Sequence, residues 1–398
     1  MVAYLIVFVA CAATTFVATP AVRRIVVRYG AIDQPNDRKV HPVATPTMGG
    51  LALYVGVVVG LAVSYLLPFF SDVHAASPEP VATLVTCTLI VALGAVDDLR
   101  GIMALTKFTG QVFVAGILIL MGMELSYFWF PGLGIFVLLG SDMSVLITIL
   151  WVVAFVNAVN LVDGLDGLAA GMVAIAAGAF FLYMTRSPSP FGDASEAALV
   201  AAVTAGVCVG FLPWNFNPAK IFMGDSGSML LGLLLAISTI SGVGRNPFPP
   251  GTGDWAAIAI PLLVPLLVLF IPFLDVLLAI VRRVRRGQGI GVADKEHIHH
   301  RLLDIGHSHK QAVLLMYLWS ALICGSALAI GLIDGRFAAG LVLASAVVLF
   351  LITALPRLTE RRHNGDEPPH GEGTGEEPPP EGEGRAAASS GPVSDAPG

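Results

Sequence analysis

The 398-residue chain is 56% hydrophobic and only 13% charged, with a mean hydropathy of +0.80. A soluble chain carries about 25% charged residues, so a string of soluble domains is excluded and a polytopic membrane protein is expected. The formal net charge of −6 belongs to the tail: after Leu358 nine acids face three bases, and residues 1–358 balance to zero. Charge therefore gives no reason to expect a nucleic acid partner.

The first apolar run, near 2–21, has no basic residue before it and Arg23, Arg24 and Arg28 after it. A cleaved signal peptide has the opposite arrangement, so this run reads as a spanning helix. Further runs follow near 49–70, 80–96, 107–124, 143–161, 168–185, 197–213, 227–243, 255–281, 312–333 and 337–355. Their lengths suit helices that cross a bilayer. The expected fold is all-α: an integral membrane bundle of about eleven helices over 1–358. Cys11, Cys87, Cys208 and Cys324 each sit inside an apolar run and read as small packing residues. The Pro-, Gly- and Glu-rich stretch 359–398 lacks the apolar residues needed to offset ordering entropy, so a disordered cytoplasmic tail is expected.

Lys and Arg set the orientation. With the N-terminus outside, nineteen of the 22 basic residues fall on the cytoplasmic side, and only Arg186, Arg245 and Arg336 fall outside. An odd number of spans then places the C-terminus in the cytoplasm. Five polar segments collect on that same face: 33–42, 97–101, 162–167, 213–228 and 294–301. They suggest one composite site at the cytoplasmic surface of the cell membrane.

Residues 157–168, NAVNLVDGLDGL, place Asn157, Asn160, Asp163 and Asp166 three apart. On an unbroken helix the first and last would point about 180° apart. Gly164 and Gly167 permit a break between them, so a helix is expected to end near Asp163–Gly164, leaving its polar side chains over the cytoplasmic mouth. Asp97 and Asp98 end another apolar run, and their mutual repulsion calls for a cation or a raised pKa. Asp225 lies in FMGDSGS at an expected helix start, where phosphate binding is favoured. Oxygen ligands without a zinc-type spacing point to Mg²⁺, with Mn²⁺ as an alternative. His297, His299, His300, Arg301 and Lys295 suit a cationic cradle for phosphate better than a zinc site. Together these features describe phosphoryl transfer involving a lipid. A membrane transporter using intramembrane carboxylates is the alternative of a different class, and Asp275, deep in an apolar run, is the residue it would need.

TPTMGG (45–50), the pair Asp97–Asp98, NAVNLVDGLDGLAAG (157–171), NPAKIFMGDSGS (217–228) and HIHHR (297–301) match, in order and spacing, the polyprenyl-phosphate N-acetylhexosamine-1-phosphate transferases (glycosyltransferase family 4). The chain resembles this family over roughly 20–330, and DKEHIHHRLL is similar to its WecA-type, UDP-GlcNAc-using branch. The resemblance implies a Mg²⁺-dependent enzyme. It would transfer GlcNAc-1-phosphate from UDP-GlcNAc to a polyprenyl phosphate, undecaprenyl or decaprenyl, releasing UMP in the first lipid-linked step of a cell-envelope glycan. The same reaction with UDP-MurNAc-pentapeptide is the alternative within the family. By motif, Asp225 would be the principal metal ligand, with Asp98 as a candidate second. Asp97, Asp98, Asp163 and His299 would be catalytic, the first two at the lipid phosphate. Lys107 would meet the diphosphate, and Asn160 would line the site. Gly164, Leu165, Asp166, Asn215 and Phe222 would form a uridine pocket. His297, His300 and Arg301 would hold the sugar phosphate. The expected partners are a UDP-amino sugar, the polyprenyl phosphate and the bilayer, and a homodimer is compatible with the sequence.

Overall fold

The computed structural model describes residues 1–33, 44–130, 135–186, 194–243, 308–332, 340 and 343–348. All lie within one compact unit, Met1–Pro356. The expected span 255–281, most of 337–355 and the 359–398 tail fall outside the described residues, so the expected eleven spans and the sides of the two termini extend beyond what is described.

Among the described residues, every expected apolar run is a helix. Six helices are long and apolar enough to cross a membrane: α1 (Val2–Arg28), α4 (Glu79–Arg100), α6 (Ser141–Val162), α8 (Glu196–Asn215), α9 (Gly224–Val243) and α10 (His309–Leu332). Helix α2 (Gly50–Leu66) bends by 89° into a short 3₁₀ turn and α3 (Ser71–Ala76), and the pair would make a seventh span. Helices α5 (Ala104–Leu120) and α7 (Leu168–Met184) are apolar but shorter. The protein is therefore a polytopic helical membrane protein. Two small antiparallel ladders were not expected: β1 (Ile32–Asp33) with β2 (Thr45–Pro46), and β3 (Tyr127–Phe130) with β4 (Ile135–Leu138).

Helix α9 is the axis of the bundle. Helices α2, α4, α6, α7 and α8 all pack on it, and Leu233, Leu234, Leu235, Ala236 and Ile237 are each buried in succession. A helix apolar on every side needs this position. Helix α1 lies outside against α2 and α8, α5 lies against α4 and α6, and α10 lies against α7. Several hydroxyls within the spans are satisfied on their own helix, which a bilayer favours. Thr19 donates to Thr15 O at 2.6 Å, Thr204 to Val200 O at 2.7 Å and Ser238 to Leu234 O at 2.8 Å.

Small residues set how closely α9 is approached. A Cβ on Gly94 of α4 would come within 2.5 Å of Ser226 N, and one on Gly50 of α2 would collide with the Gly227 backbone. The TPTMGG strap is sewn to the segment before α9. Phe222 N donates to Pro46 O at 2.8 Å, Gly49 N to Phe222 O at 2.8 Å, and Gly50 N to Met223 O at 2.9 Å. The glycines in these motifs bring backbone against backbone, and so fix where α9 begins.

Candidate active site

Four helix ends meet at one end of the bundle: the last turns of α4 and α6 and the first turns of α5 and α9. Each end has a local cause. Helix α4 stops at Arg100 because Gly101 takes the left-handed conformation (φ +63°) and returns its N–H to Asp97 O. Asp97 and Asp98 thus occupy a final turn. Helix α6 ends at Val162 with Asp163 as its C-cap, and α7 begins after Gly167 at φ +80°. The break expected at Asp163–Gly164 is where the helix ends. Gly224, at φ +70°, starts α9 and puts Asp225 in its first turn.

Lys107 sits between two carboxylates. Its Nζ lies 2.9 Å from Asp97 Oδ2 and 2.6 Å from Asp225 Oδ1. Asp97 also accepts from Ile102 N at 2.9 Å. Asp225 Oδ1 accepts a second, short hydrogen bond from Asn160 Nδ2, which also donates to Ser228 Oγ at 2.8 Å. An ammonium has three N–H donors, so Lys107 keeps one for an incoming anion while both carboxylates hold it in place.

Asp98 points elsewhere. Its carboxylate accepts from Asp225 N at 2.7 Å, Ser226 N at 3.1 Å and Ser226 Oγ at 2.7 Å. These are free donors at the start of α9, so Asp98 caps that helix from a neighbouring one, where a negative charge also suits the helix dipole. The two adjacent carboxylates face different partners, Asp97 the Lys107 ammonium and Asp98 a helix N-terminus.

The four residues of the 157–166 row separate in the same way. Asn157 Nδ2 donates to Gln111 Oε1 at 2.6 Å and Val153 O at 2.7 Å. Asn160 reaches Asp225. Asp166 Oδ2 accepts from Asn217 Nδ2 at 2.9 Å and Ala219 N at 3.0 Å, bracing the loop after α8. Asp163 meets no hydrogen-bond donor among the described residues. Burial first, then the charges of Asp225, Asp98 and Asp166, holds its carboxyl well above the ordinary carboxylate range.

Of the expected uridine contacts, Gly164 is exposed and Phe222 is half-buried. Leu165 and Asn215 are 3% and 2% exposed. Both ends of the Asn215 amide are committed: Oδ1 accepts from Gly167 N and Nδ2 donates to Ile221 O, each at 3.1 Å. Asn215 ties the α6–α7 turn to the α8–α9 loop. His297, His299, His300, Arg301 and the transporter alternative's Asp275 lie outside the described residues. Ser226, Ser228 and Gln111 carry weight in the site that the sequence reading did not assign. The SGS after Asp225 was a visible signal for the two serines; nothing local distinguished Gln111 inside its apolar run.

This constellation of acids, one lysine and helix ends at the margin of an apolar bundle is that of a membrane-embedded transferase, and the comparisons agree. Residues 80–243 match the family profile described as glycosyl transferase family 4, and the chain belongs to this family of enzymes. It is 42% identical over 352 residues to the decaprenyl-phosphate N-acetylglucosaminephosphotransferase of Mycobacterium tuberculosis (strain ATCC 25618 / H37Rv), covering 86% of each chain. It is 36% identical over 318 residues to a probable undecaprenyl-phosphate N-acetylglucosaminyl 1-phosphate transferase of Bacillus subtilis (strain 168), covering 80% of this chain and 82% of that one. It is 31% identical over 358 residues to the phospho-N-acetylmuramoyl-pentapeptide-transferase of Mycolicibacterium smegmatis, covering 80% and 94%. Membership in a transferase family displaces the transporter alternative.

Proposed function

We propose that the protein transfers N-acetylglucosamine-1-phosphate from UDP-GlcNAc to a membrane polyprenyl phosphate, at a site facing the cytoplasm. The observation that carries this reading is Lys107 held by Asp97 and Asp225 at the meeting of four helix ends. It is a fixed cation with a spare donor, at a membrane boundary, in a chain whose relatives are named for that transfer. The mycobacterial GlcNAc relative exceeds the muramoyl-pentapeptide relative in identity, 42% against 31%, which favours the smaller donor.

An oxygen of the lipid phosphate attacks the β-phosphorus of UDP-GlcNAc. The bond to the UMP oxygen breaks, and UMP leaves with the electron pair. A lipid phosphate monoester is largely ionised near neutral pH, so Asp97 is free to orient Lys107 without taking a proton. The ammonium of Lys107 binds the diphosphate and offsets the charge that gathers on it. Asn160 and Ser228 fix Asp225. Asp98 holds the start of α9, so that Asp225 and Lys107 keep their register.

The residues fit a divalent cation. Asp163 is a carboxylate without a donor beside three other acids, and Asp225 lies beside it with one lysine to share. No group of three acidic, histidine or cysteine side chains forms a metal cage among the described residues. That donor set suits Mg²⁺, which takes one or two carboxylates and keeps water and substrate phosphate as its other ligands. Asp225 and Asp163 would hold it. When bound, it would supply charge neutralisation at the diphosphate.

The test supplies purified enzyme and decaprenyl phosphate with radiolabelled UDP-GlcNAc or UDP-MurNAc-pentapeptide. Label is expected in lipid from UDP-GlcNAc alone, and label from the pentapeptide donor alone would overturn the assignment. Asp225→Asn should lower turnover by at least about 10³-fold, about 4 kcal/mol of barrier. Asp97→Asn should lower turnover while Mg²⁺-dependent nucleotide binding, read by calorimetry, stays near that of the unmodified enzyme. An Asp225→Asn enzyme with unchanged Mg²⁺ dependence would move the metal away from Asp225.

A further inference from the structure

Helix α10 reaches the α6–α7 turn through Tyr317. Tyr317 donates a short hydrogen bond from its hydroxyl to Gly167 O, the carbonyl that closes the α6–α7 turn. Its ring occupies the space left by Gly171, where a Cβ would collide with the ring itself. Gly167 is then held from two sides, with its N–H on Asn215 Oδ1 at 3.1 Å and its C=O on Tyr317. It sits in the left-handed conformation at φ +80°, which favours glycine. The turn it closes carries Asp163, Gly164, Leu165 and Asp166. Asp166 is itself fixed to the α8–α9 loop through Asn217 and Ala219.

We propose that Tyr317 is a positioning residue for the nucleotide donor, clamping the Asp163–Gly167 turn from α10 through the Gly167 carbonyl. This rests on the reading of that turn as the donor side of a nucleotide-sugar transferase. The partner of the hydroxyl is a backbone oxygen, so it acts through the turn. An unclamped turn samples more conformations, so the donor must select the competent one. The apparent affinity falls by the fraction of time the turn is competent, while the lipid side, built on α4, α5 and α9, is untouched.

The test is Tyr317→Phe, which keeps the ring against Gly171 and removes only the hydroxyl. Three quantities are compared with unmodified enzyme in the same detergent: KM for UDP-GlcNAc, KM for decaprenyl phosphate, and the affinity for UMP by calorimetry. A five- to tenfold rise in the donor KM, a matching loss of UMP affinity, and an unchanged lipid KM and apparent Tm are expected. Gly171→Ala should reproduce the donor effect by pushing the ring aside. Donor KM and UMP affinity within twofold of the unmodified enzyme would overturn the proposal. A parallel fall in kcat, both affinities and Tm would also overturn it, since that pattern marks general loosening of the bundle. UMP carries no sugar, so the clamp is read whichever amino sugar is the donor. Failure of the unmodified enzyme to bind UMP would instead refute the nucleotide-sugar reading beneath it.

Discussion

Asp97, Asp98 and Asp163 are the same side chain in three electrostatic settings. Asp97 is neutralised by Lys107, Asp98 by the N-terminus of α9, and Asp163 by nothing among the described residues. Asp163 is therefore a group whose protonation should follow pH. Its folded-state pKa is raised, by burial first and then by Asp225, Asp98 and Asp166. A carboxyl raised in the folded state binds more protons folded than unfolded, so its contribution to stability falls as pH rises from the ordinary carboxylate value, about 3.9. The fall continues until the higher folded-state value is passed. In chelator, apparent Tm should drop over that window, and Asp163→Asn, which cannot ionise, should flatten the drop and melt higher than the unmodified protein at neutral pH. Thermal melts across a pH series check this; parallel curves for the two proteins would show that Asp163 is not the group responsible.

At the scale of elements, the site depends on where α9 starts, and that start depends on absent side chains. Gly94 admits the α9 backbone to α4, and Gly50 admits it to α2. Gly94→Ala puts a methyl within 2.5 Å of Ser226 N, against backbone that cannot swing away. Overpacking of this kind costs about 1–3 kcal/mol, and it also displaces Asp225. Gly116, in α5, has nothing within 4 Å of its would-be Cβ, so Gly116→Ala should be neutral or stabilising by up to about 1 kcal/mol. Activity and apparent Tm of the two variants, expressed side by side, check the contrast. Equal behaviour would show that α9 is not positioned by this contact.

For the molecule as a whole, the described site residues collect at one end of the bundle, the end at which α4 and α6 finish and α5 and α9 begin. The nineteen-to-three division of basic residues is the ground for proposing that this end faces the cytoplasm. Single cysteines at Gly101 and Gly164, in a variant lacking Cys11, Cys87, Cys208 and Cys324, should resist a membrane-impermeant thiol reagent in intact cells and react after permeabilisation. Labelling of either from outside would invert the topology.

Hydropathy alone was enough to place the described helices other than α3, because a bilayer accepts little besides apolar segments whose backbone bonds close internally. The break after Val162 was equally legible, because glycine at 164 and 167 and a three-residue polar repeat cannot be reconciled with one continuous helix. The motifs likewise marked Asp97, Lys107, Asn160 and Asp225 as one site. Only the tertiary structure divided the labour among them. Asp97 and Asp98 are neighbours with the same side chain, but adjacent positions on a helix point about 100° apart, and what lies in each direction belongs to other helices. Gln111 and Tyr317 were hidden for the same reason: each is one polar residue in an apolar run, and its partner stands 46 residues away at Asn157 or 150 away at Gly167. A hydrogen bond to a backbone carbonyl leaves no residue type at the other end for a sequence to display.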